Sequence, residues 1–173
     1  MRPMQLRRSW LFVGAADKNA ILTSYDSGAD VCIQEFEDFC VPELRREARL
    51  MMPDVLSDWR ARKIVATVRI NPLEDPDGLR DLNAAMRAGA DAILLPKANT
   101  SEQIALLQKH INGMEKQCGK KVSSTKIIPN IEQARGLMNA TDILSSSTQI
   151  AGALVASEAV SYTHLRAHET SLH

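Results

Sequence analysis

The chain has 173 residues, of which 45% are hydrophobic and 24% charged, proportions that exclude a largely disordered protein. Its 21 Lys and Arg balance its 21 Asp and Glu, so the whole-chain charge favours neither nucleic acid nor an anionic membrane as a partner. The three cysteines lack the C-x-x-C spacing of a zinc or redox site, and the longest apolar runs are far shorter than a membrane span.

Apolar runs alternate with helical patterns along the chain. The run SWLFVGA predicts a first strand at residues 9–15, and a helix is predicted at 17–29. The run VCIQEFE predicts a second strand at 31–37. Apolar residues at helical spacing then follow from Pro42, with Pro53 expected to kink or split that helix. One strand followed by one helix is therefore the repeating unit.

The same unit continues through the rest of the chain. Further strands are predicted at residues 63–70, 92–97, 125–132 and 150–157. Further helices are predicted at residues 75–89, 100–119 and 136–148. Strands this apolar, separated by helices, predict a parallel sheet covered by helices.

Two architectures are built from strands and helices that alternate in this way: an open doubly wound sheet and a closed (β/α)₈ barrel. The first requires a glycine-rich phosphate turn after strand one, but here that turn reads VGAAD and lacks the G-x-G-x-x-G spacing. The barrel places its chemistry at the carboxyl ends of several strands. Charged residues stand at most of the predicted strand ends: Glu37 and Asp38, Arg69, Lys97, Glu132 and Glu158. We therefore expect an α/β TIM barrel, truncated after about six strand–helix units because a complete barrel needs about 250 residues.

These strand ends carry motifs that resemble a known family. The motifs are RRSWLFVGA, the E-x-E-D of residues 35–38, VRINP, LLPKA and IEQARGL. In this order they resemble the HpcH/HpaI aldolase and citrate lyase β-subunit family, and most of all its acyl-coenzyme A lyases. The resemblance implies a Mg²⁺-dependent carbon–carbon lyase for citryl-, citramalyl- or malyl-coenzyme A. Its partners would be a 2-oxo acid and an acyl-coenzyme A, with no nucleic acid and no membrane.

The resemblance also implies roles for individual residues. Glu132 matches the family's glutamate that binds Mg²⁺, a hard cation that prefers oxygen ligands. Arg69 matches an arginine that orients the substrate, since a planar guanidinium grips a carboxylate in bidentate fashion. Glu37 and Asp38 fall on an acidic pair that lines the site. There they could position the arginine, hold waters around the metal or share a proton. The alternative is a hydrogen-bond network that only anchors the loop.

Arg8 and Lys97 are the remaining candidates for substrate binding. A cation at a strand end or entry can bind a coenzyme A phosphate or a ligand carboxylate. A structural ion pair is the alternative for both, as it is for Arg69. For Glu132 the alternative is a cap on the following helix.

Other functions and the end of the chain also carry expectations. The alternative functions are an aldolase for free hydroxy-oxo acids that needs no coenzyme A, and a non-catalytic fragment or subunit of a lyase complex.

Position 159, where a metal-binding aspartate is typical of the family, is Ala, and SYTHLRAHET resembles a translated sequencing adapter. We therefore expect an incomplete lyase domain at residues 1–158, a non-native or disordered tail at 159–173, and an inactive chain. The full-length protein is expected to be a cytoplasmic homo-oligomer, or a mitochondrial one if a presequence precedes it.

Overall fold

The computed structural model describes residues 4–156, and six parallel strands form its frame. The strands are β1 (Trp10–Gly14), β2 (Val31–Glu35), β3 (Val65–Arg69), β4 (Ala92–Leu95), β5 (Lys126–Ile131) and β6 (Leu154–Val155). Each strand pairs in parallel with the next, in the order β1-β2-β3-β4-β5-β6. This order confirms the predicted sequential sheet and excludes the doubly wound alternative, in which the order reverses at a switch point.

Helices connect the strands. They are α1 (Lys18–Ser24), α2 (Arg45–Ala61), α3 (Gly78–Arg87), α4 (Ser101–Gln117), α5 (Ala134–Met138) and α6 (Ala140–Ser145), with 3₁₀ turns at Met4–Leu6 and Pro42–Leu44. Thr100 caps α4 in a reciprocal capping box with Gln103. Within residues 4–156, no helix is both long and apolar enough to cross a membrane.

Two helices differ from the prediction. Pro53 lies inside α2 without splitting it, because the buried face around Met52 and Trp59 outweighs the one backbone hydrogen bond that proline cannot make. The single helix predicted at 136–148 is instead two short helices that meet at Asn139. The Asn139 side chain donates a hydrogen bond to the main-chain oxygen of Asn99 at 2.9 Å, which ties this break to the loop after β4.

The two faces of the sheet carry separate apolar clusters. The larger cluster packs the outer face against the helices and includes Cys32, Val68, Ile93 and Ile127. The smaller cluster lies on the inner face and consists of Val31, Ile33, Val65, Ala92, Leu94 and Ile128. The two clusters lie on opposite faces because side chains alternate along a strand. The sheet curls around the inner cluster as a half-barrel.

The sixth strand is shorter than predicted. The sequence predicts a strand at 150–157, whereas β6 covers only Leu154–Val155 and an isolated bridge joins Ile150 to Ile127. The predictions for Glu158 and for the tail at 159–173 lie outside the described residues.

Candidate active site

The charged residues at the carboxyl ends of β2, β3 and β5 lie together. Arg69 ends β3 and is the register partner of Glu35, which ends β2. Glu37 and Asp38 occupy the turn after β2, and Glu132 follows the last residue of β5. Since parallel strands present their carboxyl ends at one edge of a sheet, the topology brings these side chains into a single group.

Arg69 is the centre of this group. Its Nη1 donates to Oδ2 of Asp38 at 2.9 Å, and its Nη2 donates to the two oxygens of Glu132 at 3.3 and 3.2 Å. Nη2 also pairs with Glu37, and Nη1 lies 3.5 Å from Oε1 of Glu35. Burial lowers the pKa of Arg69, but the surrounding carboxylates, Glu37 foremost, outweigh burial and raise it. The guanidinium is therefore a fixed positive charge.

Glu35 shapes the acidic turn, a role that sequence reasoning missed. It is fully buried, and its carboxylate accepts hydrogen bonds from the main-chain N–H groups of Glu37, Asp38 and Phe39. Burial raises the pKa of Glu35 more than these N–H groups and Arg69 lower it. The available signal was strand alternation, since positions 31, 33 and 35 of β2 share the inner face. Glu35 thus fixes the main-chain conformation of the turn that carries Glu37 and Asp38.

Lys97 joins the group through both its main chain and its side chain. It follows β4 in the left-handed conformation, with φ of 48°, and its N–H donates to Oε1 of Glu132 at 2.7 Å. Its ammonium lies 2.7 Å from Oε1 of Glu37, and the hydrogen bond to Glu37 raises the pKa of Lys97. The structure therefore pairs Lys97 with the protein's own carboxylates. We call Arg69, Lys97, Glu35, Glu37, Asp38 and Glu132 the Arg69 cluster.

Arg8 is not part of the Arg69 cluster. It stands just before β1, and its N–H donates to Oδ2 of Asp30, just before β2, at 2.9 Å. Both lie at the amino edge of the sheet, and the far end of β1 at Gly14 is about 20 Å further along an extended strand. The structure thus separates Arg8 from the other predicted site residues.

A cavity of about 470 Å³ adjoins the Arg69 cluster. Its polar lining is Asp38, Arg69, Asn130 and Glu132, and its apolar lining is Phe12, Phe39, Leu154, Val155 and Ala156. The Asp38 side chain is 56% exposed and that of Glu37 is 6% exposed. Asp38 and Glu132 therefore face the cavity, whereas Glu37 lies behind them. A second cavity, of about 350 Å³, lies at the amino edge beside Arg7, Lys120 and Lys126, away from the cluster.

The Arg69 cluster carries excess negative charge. Four carboxylates surround two cationic side chains, which leaves two negative charges when all of them are ionised. Burial raises the pKa of Glu132, and the neighbouring carboxylates Glu37 and Asp38 add to the rise while Arg69 opposes it. Such a site favours a cation over a further anion.

The carboxylate oxygens of the Arg69 cluster are of the type that binds Mg²⁺, but they are arranged around Arg69. Within residues 4–156, no three His, Cys, Asp or Glu side chains are placed to hold a metal ion together, because the carboxylates converge on the guanidinium. Carboxylate oxygens are nevertheless the ligands that Mg²⁺ prefers, usually only one or two of them from the protein. Glu132, which lines the cavity, is the described residue best placed to be one.

Known proteins are similar to this chain in sequence. The family model described as HpcH/HpaI aldolase/citrate lyase matches residues 8–172, a range that extends past the motifs quoted above. Citrate lyase subunit beta of Haemophilus influenzae is 32% identical over 155 residues, which are 90% of this chain and 53% of that protein. L-malyl-CoA/beta-methylmalyl-CoA lyase of Rhodobacter capsulatus is 28% identical over 155 residues, 86% of this chain and 47% of that protein. The chain thus spans about half the length of the curated relatives it matches.

Solved structures share the fold. The citrate lyase beta subunit of Mycobacterium tuberculosis, complexed with oxaloacetate and magnesium, superposes with a TM-score of 0.71 at 24% identity, covering 92% of this chain and 63% of that one. Protein CitE of the same organism, in complex with magnesium, acetoacetate and coenzyme A, gives a TM-score of 0.71 at 24% identity, with coverage of 92% and 52%. These likenesses establish the fold of the chain.

Proposed function

The chain belongs to the HpcH/HpaI aldolase/citrate lyase family, and we propose on that premise that it carries the substrate arginine and a magnesium ligand of a Mg²⁺-dependent carbon–carbon lyase. The proposed substrate is a 3-hydroxyacyl-coenzyme A thioester such as malyl-, citramalyl- or citryl-coenzyme A, cleaved to or formed from a 2-oxo acid and an acyl-coenzyme A. The proposed fold is a (β/α)₈ barrel, of which six strands are described. Relatives that are lyases, and similar structures complexed with magnesium, oxaloacetate and coenzyme A, support this proposal.

One observation carries the proposal most directly. A buried guanidinium and an excess of two carboxylate charges meet at the wall of a cavity, at the carboxyl edge of a parallel half-barrel. In barrels of this kind that edge is where chemistry takes place. A cation neutralises the excess charge, and the guanidinium binds a carboxylate.

Glu132 and Arg69 divide the binding work in this proposal. Glu132 would hold Mg²⁺ through its carboxylate, and Mg²⁺ when bound polarises a hydroxyl or carbonyl oxygen of the substrate. Arg69 would orient a substrate carboxylate. Its contacts with Glu132, at 3.2 and 3.3 Å, are at the long end of the hydrogen-bond range, so they are the contacts most readily exchanged for ligands.

The acidic turn would supply the proton acceptor. Cleavage breaks the carbon–carbon bond next to the hydroxyl-bearing carbon, and the hydroxyl loses its proton to become the carbonyl of the 2-oxo acid. The bonding electrons pass to the thioester enolate, which takes up a proton to give the acyl-coenzyme A. Asp38 lines the cavity and is half-exposed, so it is placed to accept the hydroxyl proton. Glu37, held by Arg69 and Lys97, would be a positioning residue.

A cleavage assay tests the proposal. Malyl-, citramalyl- and citryl-coenzyme A are each incubated with the protein in MgCl₂ or in EDTA, and release of the 2-oxo acid is measured. Two versions are compared: the 173-residue chain, and an extended version with the natural coding sequence downstream of Glu158. We expect Mg²⁺-dependent cleavage by the extended version alone. Equal activity in both would contradict the expectation that the 173-residue chain is truncated and inactive, and no activity in either would contradict the lyase proposal.

Two further functions are distinguished by the same assay. Cleavage of free hydroxy-oxo acids without coenzyme A would identify an aldolase instead. Because several relatives are subunits of citrate lyase, the chain could also act only within a complex. That reading predicts activity that appears when the partner subunits of a citrate lyase are added.

A further inference from the structure

Asn130, in β5, is a buried polar residue whose side chain has no described partner. The residue is 4% exposed and lines the 470 Å³ cavity. Its main-chain oxygen accepts a hydrogen bond from the N–H of Ala98 at 3.0 Å, but its carboxamide forms none with any residue of the described 4–156. A carboxamide offers two N–H donors and an acceptor oxygen. Because its amide nitrogen and oxygen are accessible from the cavity, the group is available to a ligand.

The position of Asn130 shows which part of a ligand it would meet. It stands two residues before Glu132, so both side chains leave the same face of β5, about 7 Å apart along the strand. Its register partner is Leu154 of β6, which also lines the cavity, as does Phe12. Asn130 is therefore a neutral polar group in a mostly apolar part of the cavity wall, two residues before the proposed metal ligand Glu132.

Resting on the proposed function, we infer that Asn130 determines specificity by donating a hydrogen bond to a second oxygen-bearing group of the substrate. The selected class is a four-carbon hydroxy- or oxo-dicarboxylate unit rather than one that ends in a methyl group. A neutral amide suits this task because an acidic residue would repel the carboxylate and add to the excess negative charge. A site built to hydrogen-bond a group discriminates against analogues that lack it, because the buried amide is then left unpaired.

A matched pair of stable ligands tests the inference. Malate and lactate are both 2-hydroxy acids and differ in a carboxylate on carbon 3. Their binding in MgCl₂ is measured by calorimetry for the extended version of the chain and for Asn130→Leu, which keeps the branched shape of the side chain but removes the amide. We expect the variant to bind malate about 10-fold or more weakly and lactate within about twofold of wild type. Asn83→Leu, the same substitution on the exposed face of α3, should change neither the affinity for malate nor that for lactate.

The outcomes separate the inference from the function on which it rests. Equal weakening of both ligands, or of neither, in a folded Asn130→Leu protein overturns the role of Asn130. A second variant, Asn130→Asp, should weaken malate more than lactate through charge repulsion, and equal effects would count against the inference even if Asn130→Leu failed to fold. If wild type binds neither ligand in MgCl₂, the inference is wrong, whereas the proposed function stands or falls with the cleavage assay.

Discussion

Removing the positive charge of Arg69 should destabilise the protein strongly and in a pH-dependent manner. In Arg69→Met the guanidinium is lost while most of the buried aliphatic stem is kept. Four carboxylates then face Lys97 alone. The substitution thus leaves uncompensated negative charge in a buried setting.

The size of the effect follows from burial. The side chains of Arg69, Glu35 and Glu37 are 5%, 0% and 6% exposed, and breaking a buried ion pair by removing one partner costs about 3–5 kcal/mol. We expect a loss of this size in the free energy of unfolding near pH 8. The matched control is Arg80→Met, whose side chain is 66% exposed and pairs with Asp77 at 3.2 Å. An exposed pair of that kind contributes about 0–1 kcal/mol.

The pH dependence has a definite sign. Burial raises the pKa values of Glu35 and Glu132, and Arg69 opposes the rise in both. Without Arg69 the folded-state pKa values climb further above their unfolded values, so the folded variant binds protons more tightly. The stability deficit of the variant relative to wild type should therefore be largest above those folded-state pKa values and shrink as pH falls through them.

Urea unfolding followed by circular dichroism at several pH values measures both effects. The reasoning is refuted if Arg69→Met loses no more stability than Arg80→Met, or if its deficit stays constant between pH 8 and pH 5. Arg69→Lys serves as a second comparison, because it keeps the charge but not the forked geometry that reaches several carboxylates. The free energy of unfolding of Arg69→Lys should lie between those of wild type and Arg69→Met.

Two further predictions concern Mg²⁺ and the loop after β4. The thermal midpoint of the protein should rise with added MgCl₂, and this rise should disappear in Glu132→Gln but persist in the exposed control Glu102→Gln. Because burial raises the pKa of Glu132, protons should compete with Mg²⁺, and the rise should also diminish as pH falls through that raised pKa. A Mg²⁺ effect that depends neither on pH nor on Glu132 would exclude Glu132 as a ligand. A methyl group added at Gly136 would lie 2.3 Å from the main-chain oxygen of Ala98, whereas one added at Gly113 in α4 meets nothing within 4 Å. In urea titrations Gly136→Ala should therefore lose about 1–3 kcal/mol and Gly113→Ala should gain up to about 1 kcal/mol, and equal effects would argue against the close packing of α5 on this loop.

Local patterns in the sequence determined the frame of the protein. Apolar runs bounded by helical periodicity located all six strands, because strand and helix periodicities are properties of neighbouring residues. The edge of the sheet at which the charged residues meet also followed from the sequence, since parallel strands bring their carboxyl ends together. Arg69, Glu132, Glu37 and Asp38 could therefore be grouped before the structure was known.

Only the tertiary structure decided which charges meet and which polar groups are left without a partner. Arg8 and Lys97 are both cations near predicted strands, yet the fold places Arg8 at the amino edge beside Asp30 and Lys97 between two carboxylates of the Arg69 cluster. The left-handed backbone of Lys97 and the unpaired amide of Asn130 carry no local sequence signal. Both depend on contacts between residues far apart in the chain, and such contacts are set by strand register and side-chain packing across the sheet.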